Sequence, residues 1–167
     1  MAGWEITAYH DQGKFIHCTA AQDFAAQNET QRRAFKSRSG FMSVKWGPVG
    51  LNIGIGGVDW VLNKQQTYRT RIEFIGGQGN AFDGEAVAFN DITLDQEINS
   101  KQAVHFINSM REAHGLKYTV NGREAGLFRL NGSSKALMAL AQCVDTGLQY
   151  NGVQTSGGTF GNGGTFD

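Results

Sequence analysis

The sequence predicts an α+β, mostly β domain: an antiparallel β-sandwich or curved sheet with two short helices near the C-terminus. Three observations predict it. Apolar and polar residues alternate with period two in several stretches, most clearly in Tyr68 to Ile75 (YRTRIEFI), as in a strand with one buried face. Turn residues separate neighbouring runs at hairpin length. No strand–helix–strand spacing occurs, which argues against a parallel, dinucleotide-binding sheet.

Taken in order, Trp4, Ile6 and Ala8 alternate with Glu5, Thr7 and Tyr9 as a half-buried strand. Asp11-Gln12-Gly13-Lys14 turns the chain, and Phe15 to Ala20 returns as the second arm of a hairpin. Residues 21–40 are polar, with a basic cluster of Arg32, Arg33, Lys36 and Arg38, and read as a loop or ragged edge strand. Phe41 to Trp46 is a strand, and Gly47-Pro48-Val49-Gly50 a turn. Leu51, Ile53 and Ile55 alternate before Gly56-Gly57 breaks the run; Val58, Trp60 and Leu62 alternate again. After YRTRIEFI, Gly76 to Gly84 reads as a glycine-rich loop, followed by short strands over Glu85 to Phe89 and Ile92 to Leu94.

A helix follows, capped by Asn99 or Ser100. Ala103, Phe106, Ile107 and Met110 form its buried stripe, and Gly115 stops it. Leu116, Tyr118 and Val120 alternate up to Asn121-Gly122, a hairpin turn pair. The last structured stretch, Gly126 to Asp145, is a strand, an Asn131-Gly132 turn and a helix capped by Ser133 or Ser134. Ala136, Leu137, Leu140 and Ala141 make its apolar face, and it ends at Cys143. Phe106, Met110, Leu137 and Leu140 are the expected core, with the helices covering one side of the sheet.

This organisation gives one β-rich domain over residues 1–147 and a glycine-rich flexible tail over 148–167. The tail carries Gly-Gly-Thr-Phe twice, so Phe160 and Phe166 stand six apart. A bare linker has no use for aromatic side chains at a fixed spacing. Both are candidate partner-binding residues, filling pockets on a neighbouring subunit or adding a strand to a sheet edge.

At 167 residues the chain can build a sizeable core. Net charge is zero, so no global field attracts nucleic acid or an anionic membrane. The charge is unevenly placed. Arg32 to Arg71 holds eight basic residues and one acid, whereas Glu73 to Glu97 holds six acids and no base; strands from the two blocks are expected to complement each other. No transmembrane run is present, and Met1-Ala2-Gly3 leads straight into Trp4 with no signal peptide as written. That start suits either a mature exported protein or a cytosolic one. The two cysteines, Cys18 and Cys143, fit one disulfide joining the first hairpin to the last helix, or two buried thiols in a reducing compartment.

No catalytic constellation emerges. There is no Gly-x-Ser-x-Gly or Ser-x-x-Lys, and the glycine clusters lack the phosphate-binding pattern and its crossover helix. His10 and His17 are expected on one face of the first hairpin as diagonal neighbours, but a zinc site would need at least one more ligand and none is evident. His105 and His114, nine apart on one helix, point to opposite faces. No metal or cofactor is expected. The acidic loop around Asp83 and Glu85 carries the rival reading of a hydrolase or inhibitor-type domain, which requires a concave cleft. Trp4, Trp46 and Trp60 suit the core better than a sugar-binding surface.

One further pattern spans most of the chain. An early Trp followed by a Cys (Trp4, Cys18) precedes a W…Y-x-T-x-I-x-F block (Trp60, Tyr68, Thr70, Ile72, Phe74). A helix leads to L-x-Y-x-V, and F-x-L-x-G-S-S-x-A-L-x-x-L-x-x-C closes the series at Cys143. The chain resembles small exported proteins of alphaproteobacteria grouped with the invasion-associated locus B proteins. The resemblance implies a periplasmic or secreted, β-rich domain without established enzyme activity, and no functional residue is carried over from it. The expectation is therefore a non-catalytic binding or accessory protein, a subunit of a cell-envelope assembly. It has a protein partner or self-associates, without nucleic acid or membrane insertion.

Overall fold

The computed structural model describes residues 3–23, 40–57 and 60–151. Among these residues, nine strands and two helices run in the order β1 (Trp4–Asp11), β2 (Lys14–Asp23), β3 (Gly40–Gly47), β4 (Gly50–Gly57), β5 (Thr67–Ile75), β6 (Ala81–Ala88), β7 (Thr93–Ile98), α1 (Ala103–Glu112), β8 (Gly115–Val120), β9 (Arg123–Arg129) and α2 (Ser133–Tyr150). All nine strands form one antiparallel sheet in the order β1-β2-β3-β4-β7-β6-β5-β8-β9. This is the mostly β, α+β class that the alternation predicts, as a single curved sheet.

The pairing is shortest where β6 meets β7. Those strands share the register pairs Val87–Asp95 and Ala88–Leu94, whereas β5 and β6 share seven. The sheet does not close, and β1 and β9 are its two edges among the described strands. Phe128 of β9 comes to face Gly40 of β3, where a side-chain Cβ would stand 3.2 Å from the phenyl ring. The Trp4 indole N–H donates to the Asn131 carbonyl at 2.8 Å, joining the first strand to the turn before α2.

The core lies inside this fold and under the helices. Phe106, Met110, Leu137 and Leu140 are all buried, as their helical spacing predicts. Phe106 of α1 meets Phe74 and Phe82 edge to face, with centroids 5.2 and 5.0 Å apart, an arrangement aromatic rings prefer. The Ser133 hydroxyl donates to the Met110 carbonyl at 3.3 Å and ties the two helices together. Trp4 is buried, and Trp46 and Trp60 pack half-buried against the core.

Several boundaries differ from expectation for local reasons. The loop after β5 ends at Asn80, and Ala81 to Gly84 are strand. Gly84 sits mid-strand because the Gln96 side chain occupies the space beside it; an added Cβ would lie 2.7 Å from its Nε2. Trp60 to Asn63 form no strand; the Trp60 N–H donates to the Gly57 carbonyl and the Leu62 N–H to that of Asp91, while Val58 lies outside the described residues. Asn99 shapes the turn before α1 by accepting the Lys101 N–H, while Gln102 holds the cap position without a side-chain bond. Gly132, at φ +75°, holds the cap position of α2, and Ser133 is its first helical residue. That helix is not short: its 18 residues continue past Cys143 to Tyr150. The expected loop over 21–40 falls mainly on residues outside those described; residues 21–23 belong to β2.

Candidate functional site: the outer face of β5 and β6

Period two makes this face. Tyr68, Thr70, Ile72 and Phe74 of β5 are buried, so Arg69, Arg71, Glu73 and Ile75 project outward. On β6, Phe82, Ala86 and Ala88 turn inward, leaving Asp83, Glu85 and Val87 outside. The register sets Arg69 opposite Glu85 and Arg71 opposite Asp83. The basic and acidic blocks of the sequence therefore do complement each other at these rungs.

The two rungs are not alike. The Arg71 guanidinium donates to both Asp83 carboxylate oxygens, at 2.9 and 2.8 Å, and lies 3.5 Å from Glu73. Lys117 of β8 extends the series, 3.6 Å from Glu73. These side chains are 35–71% exposed, so solvent screens each pair and leaves it little net contribution to stability. Arg69 and Glu85, by contrast, make no side-chain ion pair or hydrogen bond among the described residues. Between them opens a shallow groove of about 580 Å³, with Thr119 and Gly122 on its β8 side. Asn121, at φ +49°, receives the Arg69 backbone N–H on its side-chain oxygen at 3.0 Å and fixes the groove's end.

Beneath the groove the interior is polar and closed. Thr70 donates its hydroxyl to the Gln96 side chain of β7, which passes over Gly84 to reach it. Tyr118 bonds to Thr70 and stacks on Trp60 with centroids 6.2 Å apart. Burial, first, and the nearby Asp95 push the Tyr118 phenol well above its ordinary pKa, against a smaller opposing pull from Thr70. Buried and held neutral, this cluster joins the sheet across its thinnest pairing.

Asp83 and Glu85 are thus strand residues on an open face rather than residues of a catalytic loop. A general acid needs a carboxyl taken out of water. The Asp83 side chain is 71% exposed and bound to a guanidinium, the opposite surroundings. The histidines are placed differently from expectation. A register shift between Tyr9 and His10 puts His17 opposite Tyr9, on which it stacks at 5.1 Å, while His10 sits against Phe15 and Tyr150. They do not share a face as diagonal neighbours. His114 lies beyond the end of α1, at a bend just before β8. Among the described residues no three ligand-type side chains gather for a metal, and no helix is long and apolar enough to cross a membrane.

Cys18 and Cys143 form a disulfide across 125 residues, with Cα atoms 6.2 Å apart. Cys18 is fully buried. Beyond it, the Asn151 side chain accepts the Phe15 N–H at 2.9 Å and donates to the Phe15 carbonyl at 3.0 Å. Staple and clamp together fix the last turns of α2 on the first hairpin. Phe160 and Phe166 lie outside the described residues.

Fold and site define a class: a disulfide-stapled, mostly β domain built on one curved antiparallel sheet, with a charged open face. Such a fold is known. Invasion associated protein B from Bartonella henselae is similar in crystal structure, with a TM-score of 0.52 over 83% of this chain and 90% of that one. Sequence identity is 17%, so the likeness is one of fold. No family model matches the sequence, and no curated protein matches it.

Proposed function

We propose that this chain is a non-catalytic binding or accessory protein of an oxidising compartment, periplasmic or secreted, working as a subunit of a cell-envelope assembly. The observation that carries the reading is the Cys18–Cys143 disulfide, closed over a buried sulfur and a separation of 125 residues. Such bonds persist outside reducing cytoplasm. The exposed charged face and the similarity of fold to an invasion associated protein agree with it. The tail beyond Asn151 carries the contacts to the assembly through Phe160 and Phe166; residues 148–150, expected in the tail, belong to α2 instead.

Deleting residues 154–167 tests the reading. The expected result is a folded, oxidised protein that leaves its native-size complex in envelope extracts. Unchanged complex size and unchanged partner recovery would remove the tail from the function. Recovery of the full chain from the cytoplasmic fraction alone would overturn the compartment.

A further inference from the structure

The outer face of β5 and β6 is complementary to itself. Basic residues stand on one strand, Arg69 and Arg71, and acidic residues at the same two rungs of the other, Glu85 and Asp83. A two-fold axis lying along the strands and midway between β5 and β6 exchanges the two strands. Under that operation Arg69 of one copy meets Glu85 of the second, and Glu85 meets Arg69. Arg71 and Asp83 do the same one rung along. This is the reciprocal pattern of an isologous interface, in which residue i contacts j and j contacts i.

Two further observations favour a second copy as occupant. Arg69 and Glu85 stand opposite each other yet remain unpaired among the described residues, leaving one free charge of each sign at the centre of the face. A partner of one charge would satisfy half of this set; an identical face satisfies all of it. Apolar side chains also frame the polar rungs. Val87 is 53% exposed and Phe89, the next outward position beyond β6, is 75% exposed; Ile75, 42% exposed, stands at the other end. Exposed apolar area supplies association energy that surface ion pairs alone do not.

We propose that this face joins two copies of the chain in a symmetric dimer, with Arg69 and Glu85 pairing reciprocally across the axis. The inference deepens the reading of a protein-binding module by naming one partner, a second copy. It stands apart from the tail, because the interface uses none of the tail's residues.

The test is sedimentation of the oxidised full chain and its charge-reversal variants over about three decades of concentration, at low salt and again at high salt, where screening weakens exposed pairs. Wild type is expected to dimerise with rising concentration. R69E alone and E85R alone are each expected to dimerise at least tenfold more weakly, since each brings like charges together. An equimolar mixture of the two is expected to regain association, because every cross-contact then pairs opposite charges. The double variant R69E/E85R should recover it as well. Far-ultraviolet circular dichroism checks that each variant is folded, and R69A and E85A replace any reversal that is not. A wild type that stays monomeric throughout overturns the proposal, as do single variants that associate like wild type or a mixture that does not. Failure here, with loss of the native-size complex on deleting residues 154–167, would leave the binding reading standing with a different partner.

Discussion

His17 shows how a single side chain reports its surroundings. Partial burial, first, and the positive charge of Lys45, second, hold its pKa below the ordinary 6.5. The folded chain therefore binds this proton at lower pH than the unfolded chain does. Stability is fully present above about pH 6.5 and is lost as pH falls through the folded value. Thermal melts of wild type and His17→Gln between pH 7.5 and 5 should show a smaller decline for the variant; parallel declines would contradict the account. Gly147 makes a second residue-scale case. A Cβ there would run into the Phe15 ring, which is itself buried. Gly147→Ala is expected to cost about 1–3 kcal/mol by overpacking, read by urea denaturation of the oxidised protein, and a neutral result would mean the helix end shifts freely. Neither site was legible in the sequence. The register shift beside His10 depends on one extra β2 residue, Ile16, and nothing in FIHCTA marks it. Gly147 looked like the approach to a tail, whereas it is the close contact that lets α2 continue past Cys143.

At the scale of elements, periodicity was enough where one face is buried and the other wet. YRTRIEFI alternates cleanly, and its burial follows residue by residue. The hairpin at Asn121-Gly122 has the two positive φ values, +49° and +81°, that its residues favour. Periodicity failed where a glycine sits inside a strand. In AFDGEAVA, Gly84 reads as loop, yet it is required by a Gln96 side chain arriving from β7, a partner that sequence order does not reveal. Gly84→Ala should therefore destabilise by about 1–3 kcal/mol, with the loss measured by chemical denaturation; a stabilised variant would show that Gln96 has room to move. Leu140 tests α2 directly. It is fully buried against the sheet, and Leu140→Ala should cost about 2–5 kcal/mol. A change below about half a kcal/mol would place that face of the helix at the surface.

For the whole molecule, the class was readable and the pairing order was not. Alternation and turn spacing gave antiparallel strands, but β7 inserts between β4 and β6, and β8 pairs with β5. These partners are set by which faces must be covered, a property of the assembled core. The charge blocks held a usable signal: Arg69 and Arg71 are two apart, as are Asp83 and Glu85, the spacing of one strand face. What the sequence lacked was the register that puts them opposite each other. The long-range disulfide joins the first hairpin to the last helix and so constrains nearly the whole described fold. In the chain-entropy model a loop of that length contributes up to about 5 kcal/mol.

The compartment and the fold meet in that bond. The most direct measurement is to trap free thiols in intact cells by acid quenching, alkylate under denaturing conditions, and map the non-reduced peptides by mass spectrometry. The account predicts the peptide containing Cys18 joined to the peptide containing Cys143, with no alkylated form of either, in protein recovered outside the cytoplasm. Full alkylation of both cysteines would contradict it.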